Sequence, residues 1–156
     1  MKIVLYQPDI PQNLGTTLRT AACLGIDVEI IEPCGFPLDD KKLRRSGMDY
    51  IDLVKYTRHI SWEEFASWHK KLPDMPRIIL LTTKAQTSYT DFMYKKNDIL
   101  LFGRETSGIP EEIHKYADHR LTIKMQPGIR SLNVAVSVAM VAGEAIRQIN
   151  LFNPCC

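Results

Sequence analysis

Three short segments of this chain place polar and charged residues where α/β proteins do chemistry. The first is Leu100-Leu101-Phe102-Gly103-Arg104-Glu105-Thr106-Ser107-Gly108-Ile109-Pro110. An apolar run, Ile99 to Phe102, enters a turn that holds two opposite charges and a second glycine, and Pro110 stands where a first helical turn accepts proline. Glycine lets backbone approach a ligand closely and leaves Arg104 and Glu105 available for polar work. Strand, glycine turn and helix start is how such proteins build a site at the carboxyl end of a sheet. The second segment is Asn13-Leu14-Gly15-Thr16-Thr17-Leu18-Arg19, a cap-forming amide and an arginine off its helix face that can border the same loop. The third, Gly128-Ile129-Arg130-Ser131-Leu132-Asn133, runs into a hydrophobic helix and sets a charge and two hydrogen-bonding groups at its free N–H groups. Each also has an ordinary reading: an N-cap with a solvated arginine, a tight turn with a surface Arg-Glu pair, and simple capping.

The elements that must position these segments alternate in type. Apolar runs at Ile3 to Tyr6, Val28 to Ile31, Ile78 to Leu81, Ile99 to Phe102 and Leu121 to Ile123 suit strands buried on both faces of a parallel sheet. Helical patterns lie between them: one capped by Asn13 and stopped by Gly25, one over Leu38 to Arg45, and one over Trp62 to Lys71 capped by Ser61. The last helix, Asn133 to Ile149, is apolar nearly all round and rich in small residues, which predicts one face on the sheet and another on a second subunit. The fold class expected is α/β, a mostly parallel sheet of five or six strands flanked by helices.

At 156 residues the chain fits one domain spanning 1–156, with a substantial core. An apolar fraction of 45% and a charged fraction of 24% are ordinary for a soluble protein. The formal charge of +2 is too small to announce nucleic-acid binding, so local patches must carry any such role. No apolar run nears the roughly 20 residues that span a bilayer. The N-terminal apolar run is too short for a signal peptide, so a cytoplasmic location with no membrane partner is expected. Cys23, Cys34, Cys155 and Cys156 lack zinc-ligand spacing; they are read as free thiols, with Cys23 a small core residue. The four histidines are scattered, and no metal is expected. No GxGxxG follows a strand and no P-loop occurs, which sets aside dinucleotide and nucleotide-triphosphate folds.

Taken together, the three segments resemble the three motifs of the SPOUT methyltransferases, in the branch called SpoU or TrmH, from Ile3 to about Ile149. The most specific parts are Phe-Gly-x-Glu-x-x-Gly and the Arg-Ser-Leu-Asn that starts the last helix. Leu5 to Asn13, Glu32 to Phe36 and Asp39 to Tyr50 are similar to the subfamily that methylates the 2′-hydroxyl of the tRNA wobble nucleotide, cytidine or uridine, and lacks an appended RNA-binding domain. Thr16, Ala135 and Val136 depart from its usual residues.

The resemblance implies a deep C-terminal trefoil knot, S-adenosylmethionine as methyl donor and a tRNA-bound homodimer. It assigns the donor to Leu81, Gly103, Ile123, Met125, Ser131 and Leu132. It assigns catalysis to Arg19, Asn13 and Glu105, with Arg19 beside the target hydroxyl and Glu105, Asn13 and Asn133 holding the site. Arginine is an awkward base because its pKa exceeds about 12, so orientation and charge stabilisation are as open to it as proton abstraction. RNA contact is expected from Arg19, Lys41, Arg44, Arg45 and Arg130. A ribosomal RNA or other tRNA target, and a non-catalytic RNA-binding module, remain the alternatives.

Overall fold

The computed structural model describes residues 1–38 and 54–149. Among these, β1 (Lys2–Tyr6), α1 (Pro11–Leu24), β2 (Asp27–Ile31), β3 (Tyr56–His59), α2 (Trp62–His69), β4 (Ile78–Leu81), β5 (Thr87–Ser88), β6 (Ile99–Phe102), α3 (Glu111–Tyr116), β7 (His119–Thr122) and α4 (Val134–Ile149) follow one another. The strands form one sheet in the order β3-β2-β1-β6-β4-β7-β5, and every pairing is parallel.

The central strands are the apolar runs of the sequence, because burial on both faces requires it. Ile3, Val4, Ile79, Leu80, Leu100 and Leu101 have no exposed surface. Alternate side chains divide into two cores. Ile3, Leu5, Ile79, Leu100 and Phe102 pack with Leu14 and Leu18 of α1 and with Val138, Val141 and Ala145 of α4. Val4, Ile78, Leu80, Ile99 and Leu101 pack on the opposite face with Phe65 of α2 and Ile113 of α3. Each such buried aliphatic side chain contributes about 1.5–3 kcal/mol.

The sheet has more strands than the apolar runs announce, and the two unannounced strands are its edges. β3 exposes Thr57 and Arg58, and β5 is only two residues long, so neither carries a continuous apolar run. The strand expected at Leu121 to Ile123 starts at His119 and ends at Thr122. Polar Glu29 is buried in β2 because Lys2 (2.8 Å) and His59 (2.9 Å) bond its two carboxylate oxygens.

Helices α1 and α4 depart from expectation at their starts. Helix α1 begins at Pro11 with Ile10 as its cap and no side-chain cap bond, so Asn13 lies inside the first turn. Proline at the first helical position is pre-set for that start and needs no N–H partner. Gly25 ends the helix at φ 65°, as expected. Ser61 caps α2, which ends at His69 rather than Lys71. Pro110 precedes α3 as its extended cap, and Asn133 caps α4 from outside it. Cys23 is exposed and not a core residue, because it falls on the outward side of α1. Leu38 belongs to no helix, and the remainder of the helix expected over Leu38 to Arg45 lies outside the described residues, as do Cys155 and Cys156. No described helix is long and apolar enough to cross a membrane.

Candidate active site at the carboxyl edge of the sheet

Strands β6, β4 and β7 are neighbours, and their carboxyl ends release three loops at one edge of the sheet. Between the loops lies a cleft of about 450 Å³, the size of a small-molecule site. All six residues assigned to the donor line it: Leu81, Gly103, Ile123, Met125, Ser131 and Leu132. Asn13 and Glu105 line it as well.

A polar relay crosses the cleft and ties the three motifs together. One oxygen of Glu105 accepts from Asn13 Nδ2 at 2.9 Å, and the other accepts from the Asp9 backbone N–H at 2.8 Å. Asn13 Oδ1 accepts in turn from Asn133 Nδ2 at 2.9 Å. Asn133 Oδ1 then accepts the first N–H groups of α4, from Ala135 at 2.9 Å and Val136 at 3.2 Å. Each amide thus donates through its nitrogen and accepts through its oxygen, which fixes both orientations. One chain of bonds fastens the start of α1, the loop after β6 and the start of α4.

A second clasp lies beside it, and nothing in the local sequence pointed to it. Arg104 does not pair with its neighbour Glu105. Its guanidinium reaches Asp9 with Nε and Nη2, and Asp9 also accepts from Thr106 through both N–H (3.2 Å) and hydroxyl. Hydrogen bonding from Arg104 holds the Asp9 carboxyl below its ordinary range. The partners are 95 residues apart, so only the adjacency of β1 and β6 brings them together.

Gly103, which lines the cleft, also has a packing role that the sequence did not show. A Cβ there would meet Ile109 Cγ1 at 2.8 Å and the Gly108 carbonyl carbon at 3.0 Å. The missing side chain therefore lets the loop fold back on itself, closed by paired backbone bonds between Arg104 and Gly108 at 3.1 Å each way. Gly108 sits at φ +70°, a conformation L side chains rarely adopt.

Two assigned residues stay outside the cleft: Arg19, exposed on α1, and Arg130, exposed in the loop before α4. Lys41, Arg44 and Arg45 lie outside the described residues. Burial pushes the Cys34 thiol up to about 11, so it is no thiolate nucleophile at neutral pH. Among the described residues no group of three or more histidine, cysteine, aspartate or glutamate side chains is arranged to hold a metal.

This geometry has relatives. A sequence model of the SpoU rRNA Methylase family matches residues 1–143. The chain belongs to the SpoU methylase family. Within it, a protein of Beijerinckia indica subsp. indica named tRNA (cytidine(34)-2′-O)-methyltransferase is 54% identical over 147 residues, 94% of this chain and 91% of the relative. An Escherichia coli K12 protein of the same name is 39% identical over 151 residues, 96% of this chain and 94% of its own. A solved structure described as giving insights into the 2-OH methylation of C/U34 on tRNA superposes with a TM-score of 0.84 at 41% identity, covering 94% of this chain and 89% of the other. A Bacillus anthracis RNA methyltransferase structure reaches a TM-score of 0.88 at 39% identity, covering 97% and 96%. For this SpoU methylase, the family match over residues 1–143 takes in every strand of the sheet and the three loops of the cleft.

Sequence reasoning missed Asp9, Thr106, Thr82, Lys84 and His114 in or beside the cleft. Asp9 and Thr106 lie in the quoted segments without an assigned role, and Thr82, Lys84 and His114 reach the cleft through strand order.

Proposed function

We propose that this SpoU methylase transfers a methyl group from S-adenosylmethionine to the ribose 2′-hydroxyl of the wobble nucleotide, cytidine or uridine, in a tRNA anticodon loop. The observation that carries the reading is the Glu105–Asn13–Asn133 relay, which builds one cleft from three motifs that are dispersed over 120 residues. The named function of the 54% identical relative, matched over nearly its full length, supports the choice of target.

The cleft suits the donor. Apolar strand ends at Leu81 and Phe102 offer a slot for adenine, and Ser131, Thr82 and the loop backbone offer hydrogen-bonding groups. Leu81, Gly103, Ile123, Met125, Ser131 and Leu132 would hold it. Bound there, S-adenosylmethionine supplies an electrophilic methyl group on a sulfonium.

The residues of the chain orient and stabilise. Asn13 and Glu105 already spend their polar atoms on each other, on Asp9 and on Asn133. Their part is to hold the loops at fixed separation, which preserves the in-line approach that transfer requires. Arg19 steadies the target ribose and the negative charge that develops on its oxygen, and with Arg130 and the basic cluster at Lys41, Arg44 and Arg45 it binds RNA phosphates. A single-stranded loop suits this, because its nucleotides can be splayed out.

The same reading includes a C-terminal trefoil knot, a single domain over 1–156, a cytoplasmic location and a homodimer. Val136 and Met140, four residues apart, are 46% and 37% exposed along one side of α4, which supports a second subunit there.

Incubation with total tRNA and labelled methyl donor, followed by digestion to mapped oligonucleotides, tests the function. Label in the ribose of the wobble nucleotide is the expected result. Label elsewhere in tRNA, or in ribosomal RNA alone, would overturn the target. No transfer to any RNA would favour a binding module. Arg19→Ala should abolish transfer while donor binding survives.

A further inference from the structure

Three buried histidines occur among the described residues, and two are satisfied within the protein. His59 bonds Glu29 at 2.9 Å, and His69 bonds the Pro76 carbonyl at 2.7 Å and the Tyr116 hydroxyl at 3.1 Å. His114 differs. It is 5% exposed, it lines the cleft, and its ring has no hydrogen-bond partner among the described residues. With no protein group bonded to it and a place in the cleft wall, the ring keeps its nitrogens available to a group that enters the cleft.

Its position narrows what that is. Helix α3 packs through Ile113 on the sheet face opposite α1 and α4. Asn13 and Asn133 therefore border the cleft from one face and His114 borders it from the other. Arg19 belongs to α1, so the reacting end of the donor lies toward the Asn13 side, and His114 meets a part remote from the methyl group. Burial lowers the affinity of the His114 ring for a proton, with Lys84 acting in the same direction, so the ring is neutral near pH 7. A neutral imidazole donates from one nitrogen and accepts at the other. Adenine presents matching edges, ring-nitrogen acceptors and an amino donor. A carboxylate would instead be served by Lys84, which lines the same cleft.

We infer that His114 hydrogen-bonds the adenine base of the methyl donor, acting as a donor-binding residue outside the three motifs. The inference rests on the reading of the cleft as the S-adenosylmethionine site, and the experiment separates the two. Calorimetry with S-adenosylhomocysteine and with 5′-methylthioadenosine, which lacks the amino-acid tail, is run on the wild type, His114→Leu and His114→Gln. The wild type should bind both. His114→Leu should weaken both by about tenfold or more at unchanged melting temperature, and His114→Gln should recover part of the loss. In turnover, the KM for the donor should rise while kcat at saturating donor stays within about twofold.

Equal binding by the wild type and both variants would overturn the role of His114 and leave the cleft reading intact. A loss confined to S-adenosylhomocysteine would overturn the assignment to the base. Failure of the wild type to bind either compound would overturn the cleft reading and the inference with it.

Discussion

At the scale of single residues, the site is held by bonds between groups that local sequence cannot associate. Asp9 and Arg104 are the clearest case, with side chains only 10% and 32% exposed. Their coupling should emerge from a double-mutant cycle of Asp9→Asn and Arg104→Ala as an interaction of about 0.5–3 kcal/mol in urea unfolding at pH 7. The pH dependence follows from the direction in which Arg104 moves the Asp9 carboxyl. A carboxyl held lower in the folded state contributes stability above its unfolded value near 4, and loses it as pH falls through the lower folded value. The stability gap between wild type and Asp9→Asn should thus be constant from about pH 7 to 5 and shrink toward pH 3. A gap that grows on acidification would refute the assignment. Asn13→Ala removes bonds to both Glu105 and Asn133. It should cost about 1–3 kcal/mol and loosen the donor cleft, read as a raised KM for the donor together with a lower melting temperature.

Elements set where those residues stand. The loop after β6 is a glycine device of two kinds, and substitutions should separate them. Gly108→Ala meets no neighbouring atom but must hold φ +70°, which costs about 1–2 kcal/mol of stability. Gly103→Ala meets Ile109 and the Gly108 backbone at 2.8 and 3.0 Å, so the loop itself must shift. Calorimetry should find donor affinity lost chiefly in Gly103→Ala, while thermal unfolding finds Gly108→Ala destabilised with the cleft largely preserved. The reverse ranking would show that Gly103 serves ligand approach and not loop closure. Leu100, fully buried between the two sheet neighbours of β6, belongs to the ordinary packing: Leu100→Ala should cost about 2–5 kcal/mol.

For the whole molecule, charge and exposed apolar surface decide the partners. A net charge of +2 cannot hold tRNA by bulk attraction, so affinity must depend on individual arginines. Arg130→Ala should lower the slope of log affinity against log salt by about one in filter binding to tRNA. An unchanged slope would remove Arg130 from the RNA surface. The exposed Val136 and Met140 of α4 should bury themselves between copies. Met140→Glu would then shift sedimentation from dimer to monomer, whereas a wild type that is already monomeric at micromolar concentration would refute the dimer.

The apolar runs of the central strands, the glycine stop of α1 and the polar character of the three motifs were legible in the sequence because each depends on neighbours a few residues away. Burial on both faces forces a continuous apolar strand, and a left-handed helix end demands glycine. The edge strands were not legible, since half-exposed backbone pairing needs no apolar run. Nor was the position of Asn13: it resembles a cap, but Pro11 starts the helix earlier and turns Asn13 toward Glu105. Sequence alone named residues of all three motifs that line one cleft. Only the parallel order β1-β6-β4-β7 decided that Asp9 would clasp Arg104, that Gly103 would serve its own loop, and that His114 would close the far wall, because those contacts join segments whose separation along the chain hides them until the strands pair.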